Sequence, residues 1–423
     1  MARKMARDPM VVTKEAVLDT PDNAATPRPN RLLPERTRSE LLYTPTSSDK
    51  ASTSIGDGRD RDVFSDTSSM SKRSGRSSPT KREAAMRSAN ELRLQRISLD
   101  ELAALLSVER ATISLVEDLS AIRQKIGILP GELKTLFESQ KKIADPLNDA
   151  MFASSSNTSE KDLEYQHRRL LRICKSTVDC NNPARPVHEA EWNDKVHSSI
   201  LELALNESDS DASESLVFRN VTDARIAIPF RDRSALLRDN MVDYGIFLAP
   251  PAASSLEDQI FSFINSSRSF TQLNALESFE VDRPLAIAIE TKRSRGGDAN
   301  APSQLANFAR AHYRLCRYLF PASKQNIGSS GGSGTEPQSS GPVKPTGSAL
   351  MLPLIEVHGP SWRINFAVLD VDRDLVSSDL AMGSTDQMSD CYVLLQSLRR
   401  LAKWADSECV AWWTGRLQGI GQG

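Results

Sequence analysis

The run Pro284-Leu-Ala-Ile-Ala-Ile-Glu-Thr-Lys292 limits the fold of this chain more than any other stretch. Residues 285–289 are apolar without a break, proline stands only at the start, and the run is short and β-branched, so it reads as a strand. A strand with one wet face alternates apolar and polar residues; an unbroken run fits a strand covered on both faces. The sheet that holds it therefore needs layers on either side. After Gly296-Gly297, residues 303–320 supply one, with Leu305, Phe308, Ala309, His312, Leu315, Cys316 and Leu319 at helical spacing.

Other segments fill in the same architecture. Residues 189–205 place Trp192, Val196, Ile200, Leu203 and Ala204 on one stripe, an amphipathic helix. Residues 217–230 read as partly extended, and 241–248 as a strand with Val242, Tyr244, Ile246 and Leu248 on one face and Asp243, Gly245 and Phe247 on the other. Residues 250–283, which contain Ile264-Asn265, read as a long irregular insertion. Strands over 350–357 and 362–371 flank Gly359-Pro360 as a hairpin, and a last helix over 390–405 buries Val393, Leu394, Ser397, Leu398, Leu401 and Trp404. Trp404, Trp412 and Trp413 read as sealing the core against that helix. The order predicts an α/β fold over 185–415, a central mixed sheet flanked by helices, interrupted by a flexible Gly/Ser-rich insertion at 323–348.

Residues 91–180 read as a helical packing or dimerisation region. Leu99, Leu102, Leu105 and Leu106, then Val108, Ile113, Val116 and Leu119, suggest two antiparallel helices; Pro130-Gly131 breaks the pattern, Leu133, Leu136 and Phe137 resume it, and 161–175 is helical again. Residues 1–90 hold 17 Lys and Arg against 12 Asp and Glu among many Ser, Thr and Pro, with no sustained apolar period, and so read as a disordered arm. In the arm Lys72-Arg73 and Lys81-Arg82 bracket Ser74, Ser77 and Ser78-Pro79, which reads first as a solvated basic stretch, with a spacing that also fits a two-part nuclear import signal. The rest of the chain is mildly acidic, which weighs against a broad nucleic-acid surface and leaves room for a local basic groove. Five unpaired-looking cysteines suggest a reducing compartment, and the lack of a long apolar run predicts an intracellular protein without a membrane partner. Oligomeric state leaves no signature.

The chemistry concentrates at two strand ends. Glu290 and Lys292 are two apart on a strand, hence on one face and about 7 Å apart at their Cα atoms. Asp243 lies on another strand in apolar surroundings, where an unpaired carboxylate is costly. If these strands are neighbours, two carboxylates and an ammonium share one rim. Such a set suits Mg²⁺ or Mn²⁺, with the Thr291 carbonyl as a further oxygen ligand and Lys292 stabilising charge that develops on a phosphate. The short motif alone is unspecific: Glu132-Leu-Lys134 repeats it within a helix, and a strand ending in Glu-Thr-Lys also reads as a solvated edge closed by a salt bridge. His167, Cys174 and Cys180 have irregular spacing and read as structural rather than as a zinc site, and His358 near Trp362 as hairpin packing.

From 189 to 413 the chain resembles the PD-(D/E)XK nuclease-like domain of many fungal proteins, within the restriction-endonuclease-like superfamily. The resemblance rests on Glu189-Ala-Glu-Trp-Asn-Asp-Lys-Val-His197, Met241-Val-Asp-Tyr244, Ile264-Asn265, the run 284–292, Gln304-Leu305 and Val357-His-Gly-Pro-Ser-Trp362, with Gly127-Ile-Leu-Pro130 ahead of it. It implies a restriction-endonuclease-like core and metal-dependent hydrolysis of nucleic acid. Asp243 and Glu290 would be metal ligands, Lys292 the catalytic lysine, Glu189 a supporting acidic residue, and Gln304 would orient a water or a phosphate. The rival expectation is a nuclease-like module that binds without cleaving, since a fold does not certify an activity. After Ile264-Asn265 the chain has Ser-Ser where the family favours His-Thr.

Overall fold

The computed structural model describes residues 94–98, 100–101, 110–139, 147–154, 158–206, 215–232, 242–266, 270–293, 301–321, 351–369, 374–377 and 379–420. The arm 1–90 with its basic clusters, the insertion 323–348 and most of the first expected helix near 99–106 lie outside the described residues.

Among the described residues one mixed sheet contains eight strands: β1 Leu94–Ile97, β2 Leu216–Asn220, β3 Tyr244–Leu248, β4 Leu285–Lys292, β5 Met351–His358, β6 Ser361–Leu369, β7 Asp374–Ser377 and β8 Leu380–Ser384. Their order is β1-β7-β6-β5-β4-β3-β2, with β8 also paired to β6. β4 and β5 run parallel at the centre, while β2–β3, β3–β4, β5–β6 and β6–β7 are antiparallel. All eight residues of β4 and all five of β3 are buried, so both faces of the sheet's middle are covered as the apolar run requires.

The helices are α1 Arg110–Ile122, α2 Lys134–Ser139, α3 Glu160–Cys180, α4 Glu189–Trp192, α5 Ser198–Leu205, α6 Ser255–Ile264, α7 Ala301–Leu319, α8 Met388–Trp404 and α9 Val410–Ile420. Parallel strands need a crossover, and α7 makes the one between β4 and β5, packing on β4, β5 and β6. Its Tyr313 hydroxyl donates to the Ala367 carbonyl of β6 at 2.6 Å. α8 packs on β8 and gathers α1, α3 and α5 around it. Trp404 and Trp413 are buried; Trp412 and Trp413 meet edge to face at 5.2 Å with Phe320 against both, closing this end of the core. Among the described residues no helix is long and apolar enough to cross a membrane.

Two segments differ from their sequence reading. Residues 250–283 are not irregular throughout, because α6 takes up ten residues of their first half and buries Leu256, Ile260 and Phe263. Ser254 caps it, its hydroxyl accepting from the Glu257 N–H at 3.3 Å, while the Glu257 carboxylate takes the Ala253 N–H. This is close to a capping box, with the carboxylate taking the N–H one residue before the cap, and Ser254-Ser-Leu-Glu257 is its sequence signature. Ahead of the helices, Leu94–Ile97 forms a strand parallel to β7, a pairing between distant segments that local pattern does not encode.

α4 and α5 form one helical stretch interrupted by a π turn over Asn193–His197. The wider turn brings Asn193 and His197 into the buried side of the stretch, beside Trp192 and Val196.

Candidate active site

The register of β3 on β4 sets Tyr244 opposite Ile289, which brings Asp243, one residue before β3, to the level of Glu290. Asp243 remains in the ladder: its N–H donates to the Ile289 carbonyl at 3.0 Å, and its carbonyl accepts from the Val221 N–H at 2.8 Å. Asp243 Oδ2 accepts from the Thr291 N–H and from the Thr291 hydroxyl, both at 2.8 Å. Among the described residues its Oδ1 has only a long contact, 3.3 Å from the Thr222 hydroxyl, whose nearer acceptor is Asn220 Oδ1 at 2.8 Å.

On β4 the Lys292 ammonium donates to Glu290 Oε1 and, at 2.8 Å, to the Thr291 carbonyl; Glu189 Oε1, at the start of α4, lies 3.8 Å from it. Glu290 is 1% exposed, and its Oε2 has no hydrogen-bond partner among the described residues. Burial raises the Glu290 carboxyl well above the ordinary carboxylate range, and the Asp243 charge pushes the same way, against Lys292. Burial also works against the Lys292 ammonium, yet Glu290, Glu189 and Asp243 outweigh it and hold that group above the usual lysine range. Burial leads for Glu290, and the excess of three carboxylates over one ammonium adds to it and carries the shift of Lys292.

A second layer of buried polar groups stands behind these residues. Thr291 Oγ1 and His197 Nδ1 each lie 2.8 Å from the Asn193 side-chain amide, and His197 Nε2 lies 3.0 Å from the Gly359 carbonyl. The Tyr244 hydroxyl donates to the Asn193 carbonyl at 3.0 Å and lies 2.9 Å from the Ser198 hydroxyl. Gly359 makes the β5–β6 turn at φ +53 and donates its N–H to the Lys292 carbonyl at 2.6 Å, so the hairpin tip is pinned to the end of β4. In the β4–β5 register Glu356 stands beside Glu290 and His358 beside Lys292, with His358 Nε2 paired to the Glu356 carboxylate.

The structure thus brings together Asp243, Glu290, Thr291, Lys292 and Glu189. Gln304 is half-buried in the first turn of α7, the helix that follows β4. His358 faces Glu356 rather than serving only as packing beside Trp362. His167 is buried against the Phe137 ring at 4.6 Å with its Nδ1 3.3 Å from the Tyr392 hydroxyl, and Cys174 meets Cys391 across α3 and α8. Among the described residues no three His, Cys, Asp or Glu side chains are grouped to hold a metal ion, so any cation here relies on two carboxylates supplemented by backbone oxygen and water. The sequence reading passed over Asn193, His197 and Thr222. A signal for the first two was present: polar residues four apart beside the apolar stripe of 189–205.

Comparison with known proteins gives a family model for the PD-(D/E)XK nuclease superfamily that matches residues 137–410. Among curated proteins none matches the chain.

Proposed function

The chain belongs to the PD-(D/E)XK nuclease superfamily, and on that footing we propose that it is a metal-dependent nuclease that hydrolyses phosphodiester bonds of nucleic acid at the rim formed by Asp243, Glu290 and Lys292. The observation that carries the reading is Glu290 Oε2, a carboxylate oxygen buried without a partner beside a second carboxylate. Burying such a group costs several kcal/mol unless a cation or proton compensates it, roughly the scale of an unpaired buried ion. The donor set fits Mg²⁺ or Mn²⁺: oxygen atoms only, with a net negative charge after Lys292 is counted.

In this reading Asp243 and Glu290 would hold the cation, with the Thr291 carbonyl as a further oxygen. Bound there, it supplies Lewis acidity toward a phosphate oxygen and lowers the pKa of water. Asp243 is suited to its part because Thr291 fixes Oδ2 with two donors and leaves Oδ1 with spare lone pairs. Lys292 offers N–H donors to charge that builds on the scissile phosphate, and Glu189 keeps that ammonium in place. Gln304, at the start of α7, orients a water or a phosphate oxygen.

The test is cleavage of single- and double-stranded DNA and RNA by the wild type, Asp243→Ala and Lys292→Ala with Mg²⁺ or Mn²⁺. Cleavage by wild type that falls at least about a thousandfold in both variants is expected, since each removes a group that contacts the reacting centre. Undiminished cleavage in the variants assigns the activity to another site, and nucleic-acid binding without cleavage by wild type assigns the chain to the non-cleaving class.

A further inference from the structure

Behind the carboxylates, Gly359, His197, Asn193 and Thr291 form a chain of short polar contacts in which the hydrogens can be counted. Gly359 presents a carbonyl, which only accepts, so His197 Nε2, 3.0 Å away, must carry a hydrogen. His197 is fully buried, its two nitrogens face Gly359 and Asn193 among the described residues, and burial, outweighing the Gly359 carbonyl and the Asp243 charge, pulls its imidazole down to about 4, so it is neutral near pH 7. A neutral imidazole has one N–H. With that hydrogen on Nε2, Nδ1 accepts, and the Asn193 amide atom 2.8 Å from it must donate. Amide oxygen and nitrogen are told apart only by such bonding, so the group facing His197 is the NH₂ and not the carbonyl. The amide atom placed 2.8 Å from both His197 Nδ1 and Thr291 Oγ1 is Oδ1; with oxygen and nitrogen exchanged as the count requires, the NH₂ stands there and gives Thr291 Oγ1 its second hydrogen. One acceptor then remains for the Thr291 hydroxyl proton: Asp243 Oδ2 at 2.8 Å.

We infer that Asn193 is a positioning residue, its amide NH₂ oriented by His197 and turning the Thr291 hydroxyl onto Asp243, so that Asp243 Oδ2 is locked and Oδ1 is presented to a cation. With the amide reversed, its oxygen would compete with Asp243 for the Thr291 proton and set lone pairs against His197 Nδ1. The π turn matters to this arrangement because it carries both Asn193 and His197 to the end of β4. The consequence for cation affinity rests on the proposed metal site; the bonding pattern does not.

Two measurements on the full chain test it separately. With ¹⁵N-labelled histidine, of which the chain has five, His197 is assigned by the signal lost in His197→Gln. At pH 7 the expected species is the Nε2–H tautomer; an Nδ1–H tautomer or an imidazolium overturns the assignment. Mn²⁺ affinity is then measured by calorimetry for wild type, Asn193→Leu, Thr291→Val and the double variant. Each single change is expected to weaken binding about tenfold, the scale of losing an outer partner of a metal ligand. In the Thr291→Val background Asn193→Leu should add less than about twofold, because its effect passes through the lost hydroxyl. Wild-type affinity in Asn193→Leu, or two losses that simply multiply, overturns the relay. A wild type that binds no Mn²⁺ counts against the metal site, and the tautomer then decides the role of Asn193.

Discussion

Glu290 shares one ammonium with two other carboxylates at the end of a strand that has no exposed residue, so its ionised form is poorly compensated in the metal-free protein. Glu290→Gln should therefore leave the apoprotein as stable or more stable, raising its melting temperature by roughly 2–4 °C if about 1 kcal/mol is relieved. The same change should abolish any rise in melting temperature that Mg²⁺ or Mn²⁺ produces in wild type, because a ligand stabilises only the state that binds it. A large loss of apoprotein stability would instead make Glu290 a structural partner of Lys292. Asp243, Glu290 and Lys292 were legible before the fold because period two and an apolar run ending in charge leave few arrangements open. Asn193, His197 and Thr222 were not, because their parts depend on where a helix and a turn come to rest against β4. Only the polar pair beside an apolar stripe hinted at them.

Among the elements, the β5–β6 hairpin is the one most tightly bound to the site. Gly359 sits at φ +53, and a Cβ there would stand 3.0 Å from the Arg293 carbonyl. Gly359→Ala should cost about 1–2 kcal/mol from backbone strain alone, read as a lower urea midpoint with an unchanged slope. An unchanged midpoint would show that the turn relaxes freely. Strands β3 to β6 and the helices α7 and α8 were readable from periodicity, since each buries a face whose spacing survives in the sequence. The helix α6 was missed although its capping box was in plain view: 250–283 also holds turn-forming residues, and their composition masked a ten-residue helix. β1 lies beyond what local pattern reveals, as its ladder among the described residues is with β7, more than two hundred residues later.

Across the whole molecule, burial of neutral imidazoles sets the acid limit of stability. His167, His197 and His312 are all buried, and burial lowers each to about 4 from the ordinary 6.5. Between those values the unfolded chain binds protons that the folded protein refuses, so unfolding is favoured as pH falls. Their contribution is complete above about pH 6.5 and is lost on the way down to about 4. Melting temperature should decline steadily over that window, and the triple variant with glutamine at these positions should decline less steeply. A flat profile in wild type would mean that the imidazoles are already charged inside the fold. The mixed sheet could be expected from the order of elements, but the position of the parallel β4–β5 pair at its centre, which puts Glu356 and His358 beside the candidate site, required the tertiary structure.

The proposed nuclease would hold a divalent cation at the ends of β3 and β4, and anomalous scattering from crystals grown with Mn²⁺ tests this directly. The expected result is a peak between the Asp243 and Glu290 carboxylates, with the Lys292 ammonium drawn away from Glu290. A peak elsewhere, or no peak with Lys292 still seated on Glu290, contradicts it.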